Sequence, residues 1–470
     1  MGQDHCDHDP MQTSFTTHVC SHLAAYEDHR ATATQPSQDN DADIDAGLGY
    51  NLMYLLYWAL SRDQLRATEG LSEGLEIDID CCDRFGYAPL TLAAYRGSCH
   101  VARNLLASEA EFSAQDTNGL TALHIAACEG DMLVVELLLQ HPEVDVNAQD
   151  TDGLTALHIA AGEGHMLVVE LLLQHPEVDV NAQDTDGLTA LHIAAGEGHM
   201  PVVELLLQHP RVDVNVQDTD GLTALHIAAG EEYSPIVELL LQKPKLDVNT
   251  QDIEGLAALH DAAYEGRLLS LKLLLQHTGI IVNKQDKCGL TALHKAANKG
   301  HLPTVELLLQ HPEMDVNVRD TRGRTPLWWA VVHQPEVASR LLDDTRIAVN
   351  IMDGQGSSYL HLAVQTSNNS LVNKLLARYD IDPNLEDESG RTALSYAKEN
   401  GDISIWCCLL GDPRLNTNNN CDHVPSRLIQ CQRHRINAPG RKKKKILGLL
   451  VTPYLFIVIR RLCSRFCILE

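Results

Sequence analysis

A glycine returns every 33 or 34 residues along this chain, at positions 86, 119, 153, 187, 221, 255, 289, 323, 356 and 390. The text between the glycines is copied with them. Residues 119–152 differ from 153–186 only at Cys128 and Asp131, and residues 187–220 differ from them only at Pro201, Arg211 and Val216. A unit this short cannot enclose a core of its own. Copies at a fixed period must therefore stack, each completing the core of the next, into a solenoid. A core of unique elements, as in most enzymes, does not behave this way.

The pattern inside one unit predicts two short helices. Thr155 before Ala-Leu-His reads as a helix N-cap whose hydroxyl meets a first-turn N–H. Two diverged copies carry proline at the next position, Pro326 and Pro89, where a missing N–H costs least. Gly164 offers the left-handed conformation that ends the first helix. A second helix is expected through "MLVVELLLQ" and stops at His175-Pro176. "VDVNAQDTDG" then reads as a hairpin-like loop of Asp, Asn and Gly turn residues. Helices of two to three turns fall well short of the roughly 12–15 residues an isolated helix needs in water, so neighbours must hold them. Leu157, Ala160 and Ala161 form a narrow apolar face on the first helix. Val168, Val169, Leu172 and Leu173 form a wider one on the second. Small side chains on one layer and bulky ones on the other predict a curved stack.

The segment "DTDGLTALHIAAGEGHMLVVELLL…DVNAQ" resembles the ankyrin repeat, whose hallmark is D-x-x-G-x-T-P-L-H-x-A-A-x-x-G-H. The resemblance runs through residues 48–412 and departs from the family in using Ala for Pro in most copies and in one extra loop residue. It implies an all-α ankyrin-repeat solenoid of ten helix-turn-helix repeats. A worn N-terminal cap precedes Gly86, and "ISIWCCLLGD" is the second helix of the last repeat. Around it, residues 1–47 read as a disordered polar arm, 413–440 as a linker and 441–470 as a basic and hydrophobic tail.

Charge narrows the partners. The formal net charge is −28. Residues 424–470 hold eleven of the 36 Lys/Arg and one of the 64 Asp/Glu, which leaves 25 basic against 63 acidic groups elsewhere. An acidic solenoid repels phosphate backbones, so the repeats are not expected to bind nucleic acid. Thirteen irregularly spaced cysteines without a secretory signal point to a reducing, intracellular and cytoplasmic setting.

Catalytic signatures are missing. The chain has no Walker, dinucleotide-binding, nucleophile-elbow or His-Glu-x-x-His motif, and neither enzyme activity nor a cofactor is expected. A histidine column, His124, His158, His192, His226, His260, His294 and His361, suggests a metal or proton relay at first sight. Column members one repeat apart, about 8–10 Å, are too distant to share a metal at ~2 Å bonds. The family resemblance implies instead that each histidine ties down a loop. His5, Cys6, His8, His18, Cys20 and His22 are zinc-type ligands, but single-residue spacers do not match structural zinc sites. The recurring Asp-Val-Asn, as at Asn147 and Asn181, reads as a turn asparagine holding the loop by its own side-chain hydrogen bonds, rather than as the asparaginyl-hydroxylase substrate that the family resemblance also allows.

The resemblance implies that a protein partner meets the loop tips and the concave face of the first helices. Those positions here are Asp152, Leu154 and Glu163, then Asp186, Leu188 and Glu197, then Asp220, Leu222 and Glu231. Next come Tyr264 and Glu265. Beyond residue 286 the same face turns basic with Lys287, Lys295, Lys299, Arg319, Arg322 and Arg324. The leucine after each turn glycine is either a packing residue or part of an exposed contact ladder. The expected function is a monomeric, non-catalytic protein-interaction scaffold. The alternative is a soluble or nuclear regulatory adaptor of degradation or transcription machinery.

The tail adds a second expectation. Arg441 and Lys442, Lys443, Lys444 and Lys445 precede fourteen apolar or neutral residues, Ile446 to Ile459, that include Leu449 and Phe456. As a helix this run is about 21 Å long, short of a ~30 Å hydrocarbon core. It suits an interfacial anchor on an anionic membrane better than a span. Nuclear import through the basic cluster is the competing reading.

Overall fold

The computed structural model describes residues 86–416, except Glu109 and Glu232, together with Cys82. The polar arm, the expected N-terminal cap apart from Cys82, and everything from residue 417 onward lie outside the described residues.

Twenty helices stand in ten pairs, one pair for each glycine of the period. The pairs are α1 Pro89–Tyr95 with α2 Cys99–Ala107, α3 Ala122–Cys128 with α4 Met132–Leu139, α5 Ala156–Gly162 with α6 Met166–Gln174, and α7 Ala190–Gly196 with α8 Met200–Gln208. Then come α9 Ala224–Gly230 with α10 Ser234–Leu241, α11 Ala258–Glu265 with α12 Leu268–Gln276, and α13 Ala292–Lys299 with α14 Leu302–Leu309. The last three are α15 Pro326–His333 with α16 Pro335–Leu342, α17 Tyr359–Gln365 with α18 Asn369–Ala377, and α19 Ala393–Asn400 with α20 Ile403–Leu410. The described residues hold no strand, only two isolated bridges, Met352 with Ser358 and Glu386 with Thr392.

Each first helix starts where a capping residue is extended. Thr155 sits at φ −95° and ψ 166° before α5. Most end early because a glycine follows in the left-handed region, at Gly97, Gly130, Gly164, Gly198, Gly266, Gly300 and Gly401. Gly164 has φ +74°, and a Cβ there would lie 2.7 Å from Nδ1 of His199 in the next repeat. That histidine explains the recurring Gly-His. Its Nε2 donates to the Gly162 carbonyl at 2.9 Å, closing the C-terminus of the preceding first helix. His165 does the same for Cys128 and His301 for Tyr264, each at 2.9 Å.

First helices pack on the first helices of both neighbours and on their own second helix, giving two layers. Ala160 and Ala161 are 0% exposed, and Val168, Val169 and Leu172 are buried under the second-helix layer. Leu173 is only half-buried, because the wide face turns its last leucine toward the rim. No helix among the described residues is long and apolar enough to cross a membrane.

Candidate partner-binding face

The turns between repeats are built from one aspartate. Asp150 Oδ1 accepts the backbone N–H of Asp152 at 2.9 Å and of Leu154 at 2.8 Å, holding the turn at Gly153 closed. Successive turns are bolted together: Thr185 N–H donates to the Asp152 carbonyl, and Thr219 N–H to the Asp186 carbonyl, both at 2.9 Å. Gly153 has φ +79°, and a Cβ there would sit 2.8 Å from the Thr185 nitrogen. Only glycine fits between two turns stacked this closely. The acidic tips are therefore presented at fixed positions on a continuous edge.

The histidine column supports the same edge from inside. Nδ1 of His158 accepts from Thr155 N–H at 3.1 Å and from the Thr155 hydroxyl at 2.9 Å. Its Nε2 faces the carbonyls of Ala182 at 3.0 Å and Leu188 at 3.1 Å, so that nitrogen carries the proton. Burial lowers His124, His158, His192, His226, His260 and His294 to about 4, which keeps them neutral at physiological pH. Both ring nitrogens are used in holding loops. The tie predicted from family resemblance is the one present.

Asparagines play a larger part than their sequence pattern suggests. Asn181 Nδ2 donates to the Arg211 carbonyl at 2.8 Å, and its Oδ1 accepts from Asp213 N–H at 2.8 Å. Asn147 bridges to Glu177 and Asp179 in the same way. Each asparagine side chain holds a loop, as its turn position suggests, and the loop it holds is that of the following repeat.

Two columns of side chains remain at the surface of this framework. At the turn tips, Asp152 and Asp186 are exposed and Asp220 and Glu254 half-buried. Cys288 and Arg322, both exposed, follow at the same position. At the ends of the first helices, Glu163, Glu197, Glu231 and Glu265 are half-buried and are followed by exposed Lys299. Both columns reverse sign over the same stretch. Burial pushes the Glu163 carboxyl up; His165 and His199 oppose that shift and Glu197 adds to it. The Arg267 guanidinium lies 4.0 Å from Glu231.

Five of the residues expected at the surface are drawn into packing or pairing. Leu154 is 6% exposed; its side chain packs in the core, while its carbonyl accepts from His124 Nε2 at 3.0 Å. Leu188 and Leu222 are half-buried, so the leucine column packs rather than forming an exposed ladder. Lys295 is buried and pairs with Asp286 at 3.0 Å. Arg324 is held by Asp320, Nε to Oδ2 at 2.7 Å, and lies over Trp329 at 4.1 Å and Trp328 at 5.0 Å. It shapes the face more than it offers a free cation. Tyr264, half-buried, carries Lys299 over its ring at 4.0 Å.

One polar column was hidden among the apolar ones. Four residues after each capping position stand Ile125, Ile159, Ile193 and Ile227, then Asp261, Lys295 and Trp329. Burial, with Asp252 nearby, raises Asp261 to about 8, and its Oδ2 is buried without a hydrogen-bond partner. The signal was in the sequence, as a break in an isoleucine column. Trp329 Nε1 reaches Asp320 at 3.3 Å and Trp328 Nε1 reaches Asp353 at 2.9 Å, which fixes both indoles.

Family models match the stretch of chain described above. A family model described as ankyrin repeats (3 copies) matches residues 49–150, 90–184, 134–218, 173–252, 202–286 and 259–353. A second, described as ankyrin repeats (many copies), matches 341–397. Among solved structures, the crystal structure of the ankyrin repeat domain of Bcl-3, titled a unique member of the IkappaB protein family, is 32% identical. The match covers 48% of this chain and 100% of that one, with a TM-score of 0.44. No curated protein matches the chain. With family models spanning nearly all of the stacked helix pairs, the chain belongs to the ankyrin-repeat family.

Proposed function

We propose that this chain is a non-catalytic scaffold that binds an elongated protein partner along its turn tips and first-helix ends. The observation that carries this reading is the shared sign reversal of two surface columns. Asp152, Asp186 and Asp220 give way to Arg322, and Glu163, Glu197, Glu231 and Glu265 give way to Lys299. A partner basic at one end and acidic at the other is steered into one orientation by such a field, and like-charge mispairing disfavours the reverse. Tyr264 and Trp328 supply apolar contact near the reversal. The test is affinity capture with quantitative mass spectrometry, comparing the native chain with one in which Glu163, Glu197 and Glu231 are all changed to Lys. Partners lost from the variant, with an unchanged melting curve, support the reading. An identical captured set moves binding off this face.

The tail adds attachment to an anionic membrane. Five consecutive cations, Arg441 to Lys445, beside the apolar run Ile446–Ile459 support this. Flotation of the full chain with phosphatidylserine vesicles, lost on changing Lys442, Lys443, Lys444 and Lys445 to Ala, is the expected result. Failure to float leaves the solenoid untethered.

A further inference from the structure

The second helices of the second to fifth repeats begin with apolar residues at the surface. Met132-Leu133, Met166-Leu167 and Met200-Pro201 open α4, α6 and α8, all six exposed, and exposed Pro235 follows in α10. Leu167 is 53% exposed, whereas Val168 and Val169 beside it are buried. Packing of the solenoid does not call for apolar residues here. The place of Leu167 is held by His100 in the first repeat and by Glu336 and Ser370 in the eighth and ninth, all exposed. One turn further along the same helices stand Glu136, Glu170, Glu204 and Glu238, also exposed. Residues three apart on a helix are neighbours, so each acid borders the apolar residue one turn before it. On the other side, Glu129 lines one open depression with Met132 and Leu133. Glu163 and Glu197 hold its place in the next two repeats. Consecutive second helices from α4 to α10 pack on one another, which joins these positions into one apolar stripe with acidic margins. Exposed Leu268-Leu269 prolong the apolar part in the sixth repeat, but there Lys272 replaces the acid.

We infer that this stripe docks a basic amphipathic helix of a partner protein. The helix lays its apolar face on the methionines and leucines and its Lys/Arg side chains against Glu136, Glu170, Glu204 and Glu238. Charge complementarity sets the sign of the partner, and spacing selects a helix. Neighbouring second helices stand about 8–10 Å apart. An α-helix returns a residue to nearly the same face every seven positions, about 10.5 Å along its axis. Same-face residues of a β-strand recur at about 6.6 or 13 Å and fall out of register with the repeats. A polyproline segment recurs at about 9.3 Å but docks on aromatic-lined grooves. This stripe offers methionine and leucine instead, and methionine adapts its shape to the helix it receives. From the second repeat to the fifth the stripe runs about 24–30 Å, the length of about 16–20 helical residues. The inference does not rest on the turn-tip reading, and its test leaves the turn tips unaltered.

The probe is a synthetic peptide of three Leu-Lys-Lys-Leu-Leu-Lys-Lys heptads, fluorescently labelled and titrated with the full chain by anisotropy at physiological ionic strength. A control peptide has the same composition, scrambled so that no helical face is apolar. Docking predicts that the chain binds the patterned peptide about tenfold or more tightly than the scrambled one. Leu133→Gln combined with Leu167→Gln should abolish that preference and leave circular dichroism unchanged, because both leucines are exposed. Peroxide footprinting locates the contact. The patterned peptide should slow oxidation of Met166 and Met200 about threefold or more and leave Met352, equally at the surface, unaffected. Equal binding of the two peptides, a preference that survives in the variant, or unprotected methionines each overturn the inference. So does a native chain that self-associates and becomes monomeric in the variant, since a second copy is then the occupant.

Discussion

At the residue scale, the buried titratable groups set how stability depends on pH, and their signs differ. The six column histidines sit near 4 in the fold against 6.5 when free. Between those values the unfolded chain binds more protons, so their contribution is fully present above pH 6.5 and is lost as pH falls toward 4. Asp261 works the other way. Held near 8 against an unfolded value of 3.8, it keeps a proton in the fold that the unfolded chain has released. Its contribution therefore declines as pH rises from 3.8 to 8. Asp218, raised to about 6 by burial, declines similarly but is finished by pH 6. Below pH 6.5 the six histidines oppose Asp218, Asp261 and the other carboxyls that burial pushes up, Glu129, Asp150, Glu163 and Asp184, and the histidines' larger combined shift dominates; above it Asp261 is the group still losing its proton. The melting temperature should peak near pH 6.5 and fall steeply on the acid side and gently up to pH 8. Changing Asp261 to Ile should flatten the alkaline limb and leave the acid limb intact, as read by calorimetry across pH 4–9. An unchanged alkaline limb would show that Asp261 is not its source.

At the element scale, each repeat is joined to the next by a small set of polar bonds that recur with the period. Removing Asn181 breaks two of them at once, to Arg211 and Asp213, and leaves a loop N–H and carbonyl unmatched. Asn181→Ala should cost about 1–3 kcal/mol in urea unfolding. If the asparagine bonded only its own loop, hydrogen exchange would rise at Asn181 alone; bridging predicts that it also rises at Asp213. Gly153→Ala is expected to cost more than 1 kcal/mol, since it strains a left-handed residue and presses on the stacked turn of Thr185. These elements show what the sequence made legible. Caps, helix lengths, the turn glycines and the ten-fold stack followed from local chemistry repeated at one period. The bonding of Asn181, and of His199 to Gly162, did not, because the partner lies 30–37 residues away and every copy offers the same candidates. Likewise the positions of Lys295 and Arg324 marked the right face, but their pairing with Asp286 and Asp320 is a tertiary fact.

At the scale of the whole molecule, nearest-neighbour terms add along a stack, so one weak interface divides it. The near-identical repeats from Gly119 to Asp220 place isoleucine after isoleucine at the column running through Ile125, Ile159, Ile193 and Ile227. The column is then interrupted by Asp261 and Lys295. Lys295 is satisfied by Asp286, but Asp261 leaves a carboxyl oxygen buried without a partner. Replacing buried charged groups of this kind by apolar ones is often neutral or stabilising, by about 1–4 kcal/mol. The junction around α11 and α13 is therefore where cooperativity should fail first. Urea unfolding of residues 86–416 should be broader than one transition allows, with hydrogen exchange lost at different denaturant concentrations on the two sides of α11. Two substitutions separate this from general fragility. Asp261→Ile restores the column and should sharpen the transition and raise its midpoint. Lys295→Ile removes the cation from Asp286 and should lower the midpoint by the equivalent of about 3–5 kcal/mol. The sharpest outcome against this account is a native chain that already unfolds in one step by fluorescence, circular dichroism and exchange alike, with Asp261→Ile leaving the midpoint where it was.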